Sequence, residues 1–222
     1  MATGEAVVQI APNPAIALKR GAEALAGAEE PEEPIMIEYR IHGRGGQGSV
    51  AAAYLLAAAA FEAGFTCQAF PAFGAERRGA PVMAFVRIDE KPITLRSQVR
   101  SPDFMIVQDD TLLLDPNLTA GLNPEGAMLV NSRKPASEFK KSKTRVIAFP
   151  ATELAVEVIG RPIPNTALLA AFLALTEHVP QKALAAALKG RFAGPVLEKN
   201  LELIAKAADT VEKGAWKEKA HA

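Results

Sequence analysis

The segment GRGGQG (residues 43–48) lies between two apolar runs, IMIEYRIH before it and SVAAAYLLAAAAF after it. This order predicts a strand, a tight glycine turn and a long alanine-rich helix from Gln47 to Ala63, which Gly64 ends. Strand–turn–helix units of this kind build sheets in which helices connect parallel strands. The segment therefore constrains the chain to an α/β fold.

The rest of the chain repeats this alternation. Apolar runs predict further strands at 65–70, 82–88, 104–108, 126–131 and 144–150, and helices at 152–159, 165–178, 181–189 and 194–213, where Asn165 is expected to cap its helix. The turn at Asp89-Glu90-Lys91 favours an antiparallel pair between strand 82–88 and the following PITLRS. We expect a doubly wound, mainly parallel sheet with helices on both faces and a helical C-terminal part.

Three segments differ in composition. Residues 1–34 end in the acidic, proline-containing EEPEEP, which cannot continue a helix. They are either an unstructured tail or an arm that docks on a partner. Residues 35–213 form the predicted domain, and 214–222 form a C-terminal tail in which Trp216 is a candidate anchor.

Composition argues against several kinds of main partner. The 222 residues include 25 basic and 25 acidic side chains, so the zero net charge argues against nucleic acid and acidic membranes. The longest apolar run, 50–61, is shorter than the roughly 20 residues that span a bilayer, and the N-terminus lacks the pattern of a secretory signal. The single cysteine, Cys67, and three separated histidines predict no metal site and a reducing, cytoplasmic location.

The glycine segment matches G-x-G-x-x-G at Gly43, Gly45 and Gly48. Glycines allow a tight turn and close approach of a ligand to the backbone, and the following helix directs its free N–H groups and positive dipole end at the loop. Arg44 would add positive charge, and Ser49 would cap the helix or contact phosphate. The alternative is that the glycines only pack the strand against the helix.

A second polar segment, Glu76-Arg77-Arg78, follows the second strand of this unit. In a doubly wound sheet it lies at the same carboxyl edge as the glycine loop, where arginines can bind phosphate or a carboxylate. The alternative is a solvated loop with a local Glu–Arg pair. No acidic residue ends the strand FTCQAF, so the fingerprint for the ribose of a dinucleotide is incomplete. No pattern typical of catalytic residues is present.

Together these motifs resemble the gamma subunit, or gamma domain, of the 2-oxoacid:ferredoxin oxidoreductases. The matching motifs are the glycine loop, G-x-E-x-R-G-x-P at 74–81, the strands PDFMIVQDD and GAMLVNS, and the helix from Asn165, over roughly residues 36–210. The family includes pyruvate, 2-ketoisovalerate, indolepyruvate, oxalate and phenylglyoxylate enzymes. The resemblance implies a complex that decarboxylates a 2-oxoacid, commonly transfers the acyl group to coenzyme A, and passes electrons to ferredoxin or NAD.

The resemblance places thiamine diphosphate, Mg and iron–sulfur clusters on alpha, beta and delta-type partner subunits, with no catalytic or metal residue on this chain. It assigns coenzyme A to the glycine loop, so the expected contacts are Gly43, Arg44, Gly45, Gly46, Gln47, Gly48 and Ser49, with Glu76, Arg77 and Arg78 contacting the coenzyme or a neighbouring subunit. Two alternatives remain: a stand-alone Rossmann-type oxidoreductase that binds NAD(P) or FAD, and a purely structural subunit.

Overall fold

The structure, a computed structural model, describes residues 8–10, 36–72, 78–139 and 144–220. The strands are β1 (Val8–Ile10), β2 (Ile37–Arg44), β3 (Thr66–Pro71), β4 (Pro81–Asp89), β5 (Phe104–Val107), β6 (Ala127–Asn131) and β7 (Arg145–Phe149). The α-helices are α1 (Ser49–Glu62), α2 (Ala151–Ile159), α3 (Asn165–Thr176), α4 (Gln181–Lys189), α5 (Gly194–Asp209) and α6 (Lys217–Ala220). Two 3-10 helices span Asp110–Leu114 and Ala136–Glu138.

The strands form one sheet in the order β1-β3-β4-β2-β5-β6-β7. Strands β2, β5, β6 and β7 run parallel, whereas β1, β3 and β4 join the sheet through antiparallel pairs. The α/β class is therefore confirmed, but the sheet is mixed rather than mainly parallel. The physical reason is the short connection from Pro71 to Pro81, since a parallel pair needs a crossover of a dozen or more residues.

The sequence prediction is wrong at PITLRS and at Asn165. Residues 92–97 (PITLRS) form no strand, and β4 instead pairs with β2 and β3. Asn165 is the first residue of α3 rather than its cap, because Pro164 occupies the cap position and the Asn165 side chain accepts a bond from the Thr166 amide.

One face of the sheet carries the main core. Alternate residues of the strands point to this face, and the buried residues of α1 to α5 pack on it. Helix α3 is buried along its whole length, as its uniformly apolar sequence predicts. Its Phe172 contacts Tyr39, Phe104 and Trp216 through ring contacts, so the tryptophan near the C-terminus does anchor on the core.

The opposite face of the sheet is covered by loops and 3-10 helices, not by the α-helices that the sequence predicts there. Its apolar cluster of Met105, Val107, Met128 and Val130 packs against Leu113 and Phe139, which belong to or adjoin the 3-10 helices, and against loop residues. The strands also bury polar side chains on this face, including Arg40, His42 and Arg87. Long α-helices are thus confined to one face. Among the described segments, no helix is both long and apolar enough to cross a bilayer.

Candidate functional site

The candidate site lies where the carboxyl ends of β2 and β5 meet. These strands are parallel neighbours with His42 opposite Val107. From β2 the chain passes through α1 to β3, which lies on one side of β2 in the strand order. Strand β5 lies on the other side of β2. Ligands of open α/β sheets bind at such a point, because the two connections leave a crevice between them. The glycine loop follows β2 at this carboxyl edge, as the sequence predicts.

The glycines of the loop have different roles. A side chain on Gly43 would collide with the Ser49 hydroxyl, and one on Gly48 would come 2.8 Å from Nδ2 of Asn165. A side chain on Gly46 would meet nothing within 4 Å. Gly46 and Gly48 both have positive φ, of 98° and 82°, which favours glycine. Gly43 and Gly48 therefore permit packing, whereas Gly46 borders open space.

Some amide donors of the loop are bonded within the chain and others are not. The Gly45 N–H donates to the Ala80 carbonyl at 2.9 Å, and the Gln47 N–H donates to the Arg44 carbonyl at 2.9 Å. Within the described residues, the N–H groups of Gly46 and Gly48 donate to no other group. Helix α1 begins at Ser49, two residues later than predicted, and the amides of its first turn have no partner inside the helix. These donors form a setting for an anion.

Asp109, just after β5, fixes the loop in place. Its carboxylate accepts bonds from Nε of Arg44 at 3.1 Å and Nε2 of Gln47 at 3.0 Å. Arg44 also donates to the Thr111 hydroxyl at 2.7 Å. Partial burial works to raise the pKa of Asp109, but bonds from Thr111 and Gln47 and the Arg44 charge together lower it below its ordinary value. Arg44 and Gln47 thus position the loop, and much of the Arg44 charge is balanced by Asp109.

Gln108 is a residue that sequence analysis missed. Its side chain is only 1% exposed, and its Oε1 accepts a bond from the Ser49 hydroxyl at 3.3 Å. Its Nε2 has no hydrogen-bond partner among the described residues, which is costly for a buried amide. Gln108 and Asp109 directly follow β5, so the rule that ligands bind at carboxyl edges was the signal that would have found them.

Of the predicted segment Glu76-Arg77-Arg78, the structure describes Arg78, which lies against the glycine loop. Arg78 pairs with Gly45 in an isolated bridge, and the Gly79 amide donates to the Gly45 carbonyl at 3.1 Å. The Arg78 side chain is exposed. Glu76 and Arg77 lie outside the described residues. The structure therefore brings together the glycine loop and Arg78, and the ligand contacts assigned to all these residues stay predictions.

The other candidate groups have unreactive surroundings. Burial raises the pKa of the Cys67 thiol to about 12, and the thiol donates to the Ala57 carbonyl at 3.1 Å. Burial, with a smaller effect of the Arg40 charge, lowers the pKa of His42 to about 3, so its imidazole is neutral. Across the described ranges no cluster of three His, Cys, Asp or Glu residues could hold a metal ion.

Comparisons with known proteins match this arrangement. The family model for pyruvate ferredoxin/flavodoxin oxidoreductase matches residues 38–210. The pyruvate synthase subunit PorC of Methanocaldococcus jannaschii is 51% identical over 78% of this chain and 94% of the relative. The common subunit gamma of the pyruvate/ketoisovalerate oxidoreductases of Pyrococcus furiosus is 46% identical over 80% of this chain and 98% of the relative.

A solved structure is similar to the fold as well. The pyruvate oxidoreductase subunit PORC of Thermotoga maritima superposes with a TM-score of 0.71 at 36% identity, covering 80% of this chain and 97% of that one. The two relatives and the Thermotoga structure are each matched over nearly their whole length. The similarity therefore includes the glycine loop and most of the sheet and helices.

Proposed function

This chain belongs to the pyruvate ferredoxin/flavodoxin oxidoreductase family, as a gamma-type subunit, and we propose that its glycine loop binds the diphosphate of coenzyme A in the assembled enzyme. The proposed reaction is the oxidative decarboxylation of a 2-oxoacid of the pyruvate class, with electrons passing to ferredoxin or NAD through another subunit. Coenzyme A supplies the thiol that accepts the acyl group. The role of this chain is to hold and orient that coenzyme.

The observation that carries the proposal is the set of free donors at the loop. The amides of Gly46 and Gly48 have no partner in the described part of the chain, and Gly46 borders open space. The positive end of the α1 dipole points at the same place, which favours a doubly charged diphosphate. The buried Nε2 of Gln108 lies beneath this loop as a further donor without a partner. These residues fit the group.

The redox groups belong on partner subunits in this proposal. The chain has one cysteine, and that thiol is buried and bonded to a carbonyl, so it is unsuited to hold an iron–sulfur cluster. We assign thiamine diphosphate, Mg and the clusters to alpha, beta and delta-type subunits of a cytoplasmic complex. The chain alone is then inactive.

A NAD(P)- or FAD-binding oxidoreductase is the rival that the site supports less well. Asp109, an acidic residue in contact with the glycine loop, accepts bonds from Arg44, Gln47 and Thr111 rather than being free for a ribose. A purely structural subunit is supported less as well, since a loop with only a packing role gives no reason for Gly46 and Gly48 amides without partners.

Calorimetric titration of the assembled complex and of the purified chain separates these functions. We expect the complex to bind coenzyme A and the chain alone not to bind NADH. Tight binding of NADH by the isolated chain would favour the dinucleotide enzyme. Absence of coenzyme A binding by an active, fully assembled complex would favour the structural role.

A further inference from the structure

Strand β3 would be an edge strand of the sheet if β1 were absent. The family model matches residues 38–210, so β3 lies within the matched part of the chain and β1 lies outside it. Both faces of β3 are covered, since Cys67 and Ala69 lie in the main core and Phe70 lies in an apolar cluster of the opposite face. On its outer side β3 pairs with β1. The part of the chain that matches the family therefore relies on an added segment to complete this edge.

Strand β3 lacks the features that protect natural edge strands from pairing with other chains. Such strands are short, or they carry charged residues or prolines. The six residues of β3, TCQAFP, include no charge, and the proline is the last of them. At the other edge of the sheet, β7 begins with the exposed Arg145 and follows Lys140, Lys141 and Lys143 in the sequence. The charges that protect the β7 edge have no counterpart in β3.

Strand β1 replaces this open edge by a shorter one. It pairs antiparallel with β3, from Val8 opposite Ala69 to Ile10 opposite Cys67. The edge that β1 itself presents is three residues long, and Pro12 follows it in the sequence. A very short edge strand and a nearby proline both oppose the addition of a further strand.

A long connection joins β1 to the rest of the domain. Ile10 lies opposite Cys67, which in turn lies opposite Ile88 of β4. Ile88 lies opposite Ile37, the first residue of β2. The end of β1 and the start of β2 are thus at the same end of the sheet, three strand spacings or roughly 14 Å apart. Residues 11–36 could span several times that distance, so β1 is tethered beside β3 without being drawn there by a short loop.

We propose that the edge of β3 is a strand-pairing surface for a second copy of this chain, and that β1 covers it. When β1 is removed, the β3 strands of two copies pair antiparallel across a two-fold axis and join their sheets. Such a contact uses the same surface on both copies, so it closes a dimer rather than building a filament. In the full chain the tether keeps β1 at a high effective concentration beside β3, and the purified chain stays a monomer. Coenzyme binding plays no part in this inference.

The test is sedimentation velocity of the purified chain and of two variants without the cover. Val8→Pro/Gln9→Pro places two adjacent prolines in β1, and since alternate residues of a strand donate to their partner, at least one donor to β3 is lost. The second variant lacks residues 1–34. We expect the wild-type chain to sediment as a monomer and both variants to sediment with about twice its mass. Thr3→Pro/Gly4→Pro, the matched control with two prolines before β1, stays monomeric.

A synthetic peptide of residues 5–12, EAVVQIAP, connects the dimer to the β3 edge. We expect an excess of this peptide to return both variants to monomers, whereas a scrambled peptide of the same composition has no effect. Variants that stay monomeric, a dimer that the peptide does not dissociate, or a wild-type chain that already dimerises each overturn the inference. Loss of cooperative thermal unfolding in both variants overturns it too, because β1 is then an essential part of the fold rather than a cover.

Discussion

The helix-covered face of the sheet and its carboxyl edge satisfy their polar groups in different ways. In the helix-covered core, the Tyr39 hydroxyl pairs with Nδ1 of His178 at 2.7 Å, and the Cys67 thiol pairs with a carbonyl. At the carboxyl edge, Nε2 of Gln108 and the backbone N–H groups of Gly46 and Gly48 have no partner among the described residues. These core groups are satisfied within the chain, whereas we propose that the donors at the edge are satisfied by a bound ligand.

The largest effect should come from the core. Phe104→Ala removes a ring that stacks on Tyr39 and Trp216 and contacts Phe172, so we expect it to lower the free energy of unfolding by about 3–5 kcal/mol. Urea denaturation of the purified subunit measures this. Leu114→Ala, at a side chain that is 85% exposed, is the control and should change stability by less than about 0.5 kcal/mol. A loss below about 1 kcal/mol for Phe104→Ala would contradict a closely packed core.

The next effect concerns pH and the buried His42 at the end of β2. Its pKa is about 3 in the fold against about 6.5 in the unfolded chain, so the unfolded state binds the proton first as pH falls. The stability is full above about pH 6.5 and decreases as pH falls toward 3. Between pH 7 and pH 5 we expect a loss of about 2 kcal/mol that His42→Gln abolishes. The same slope in both proteins would show that His42 titrates normally.

A smaller effect tests the glycine loop itself. Gly46→Ala places a methyl group in the open space beside the free amides, and we expect it to weaken coenzyme A binding by the complex at least about tenfold, or about 1.4 kcal/mol. Gly214→Ala is the matched control, since Gly214 also has positive φ but lies near the other end of α3. Both substitutions strain the backbone by about 1–2 kcal/mol. An equal change in affinity for both variants would mean that strain, not the loop, is responsible.

The smallest effect concerns the carboxylate that positions the loop. Asp109→Asn removes the charge that Arg44 and Gln47 contact, and we expect a loss of about 1 kcal/mol in unfolding free energy at pH 7. Because the pKa of Asp109 is lowered in the fold, its stabilisation is present above its ordinary pKa and is lost in acid. Glu198→Gln, at an exposed residue of α5, should leave stability unchanged. Equal melting temperatures for the Asp109→Asn and Glu198→Gln variants would show that Asp109 does not stabilise the fold.

Sequence patterns predicted the elements better than their arrangement. The bounds of the strands and helices follow apolar runs, and α4 begins and ends at the predicted residues. The antiparallel insertion of β4 between β2 and β3 was missed because pairing depends on the length of the connection and on the whole sheet. The sequence of each single strand did not predict that one face of the sheet lacks long helices. Tertiary packing, not the pattern of one strand, decides which face the helices cover.

Only the part of the site that depends on a local sequence pattern was predicted. Its glycine loop is a local pattern, and its position at the carboxyl edge follows from the fold class. Gln108 and Asp109 lie in the matching stretch PDFMIVQDD and were available to the same argument, but neither was assigned a role. The contact of Asn165 with Gly48 joins residues far apart in the chain, so only the tertiary structure reveals it.

The most direct test of the central claim is the density of coenzyme A in a structure of the assembled complex. We predict that the diphosphate oxygens lie within hydrogen-bonding distance of the amides of Gly46, Gly48 and Ser49, at about 2.7–3.2 Å. Ordered density for the diphosphate at another subunit or away from this loop, with the loop occupied only by solvent, would contradict the account.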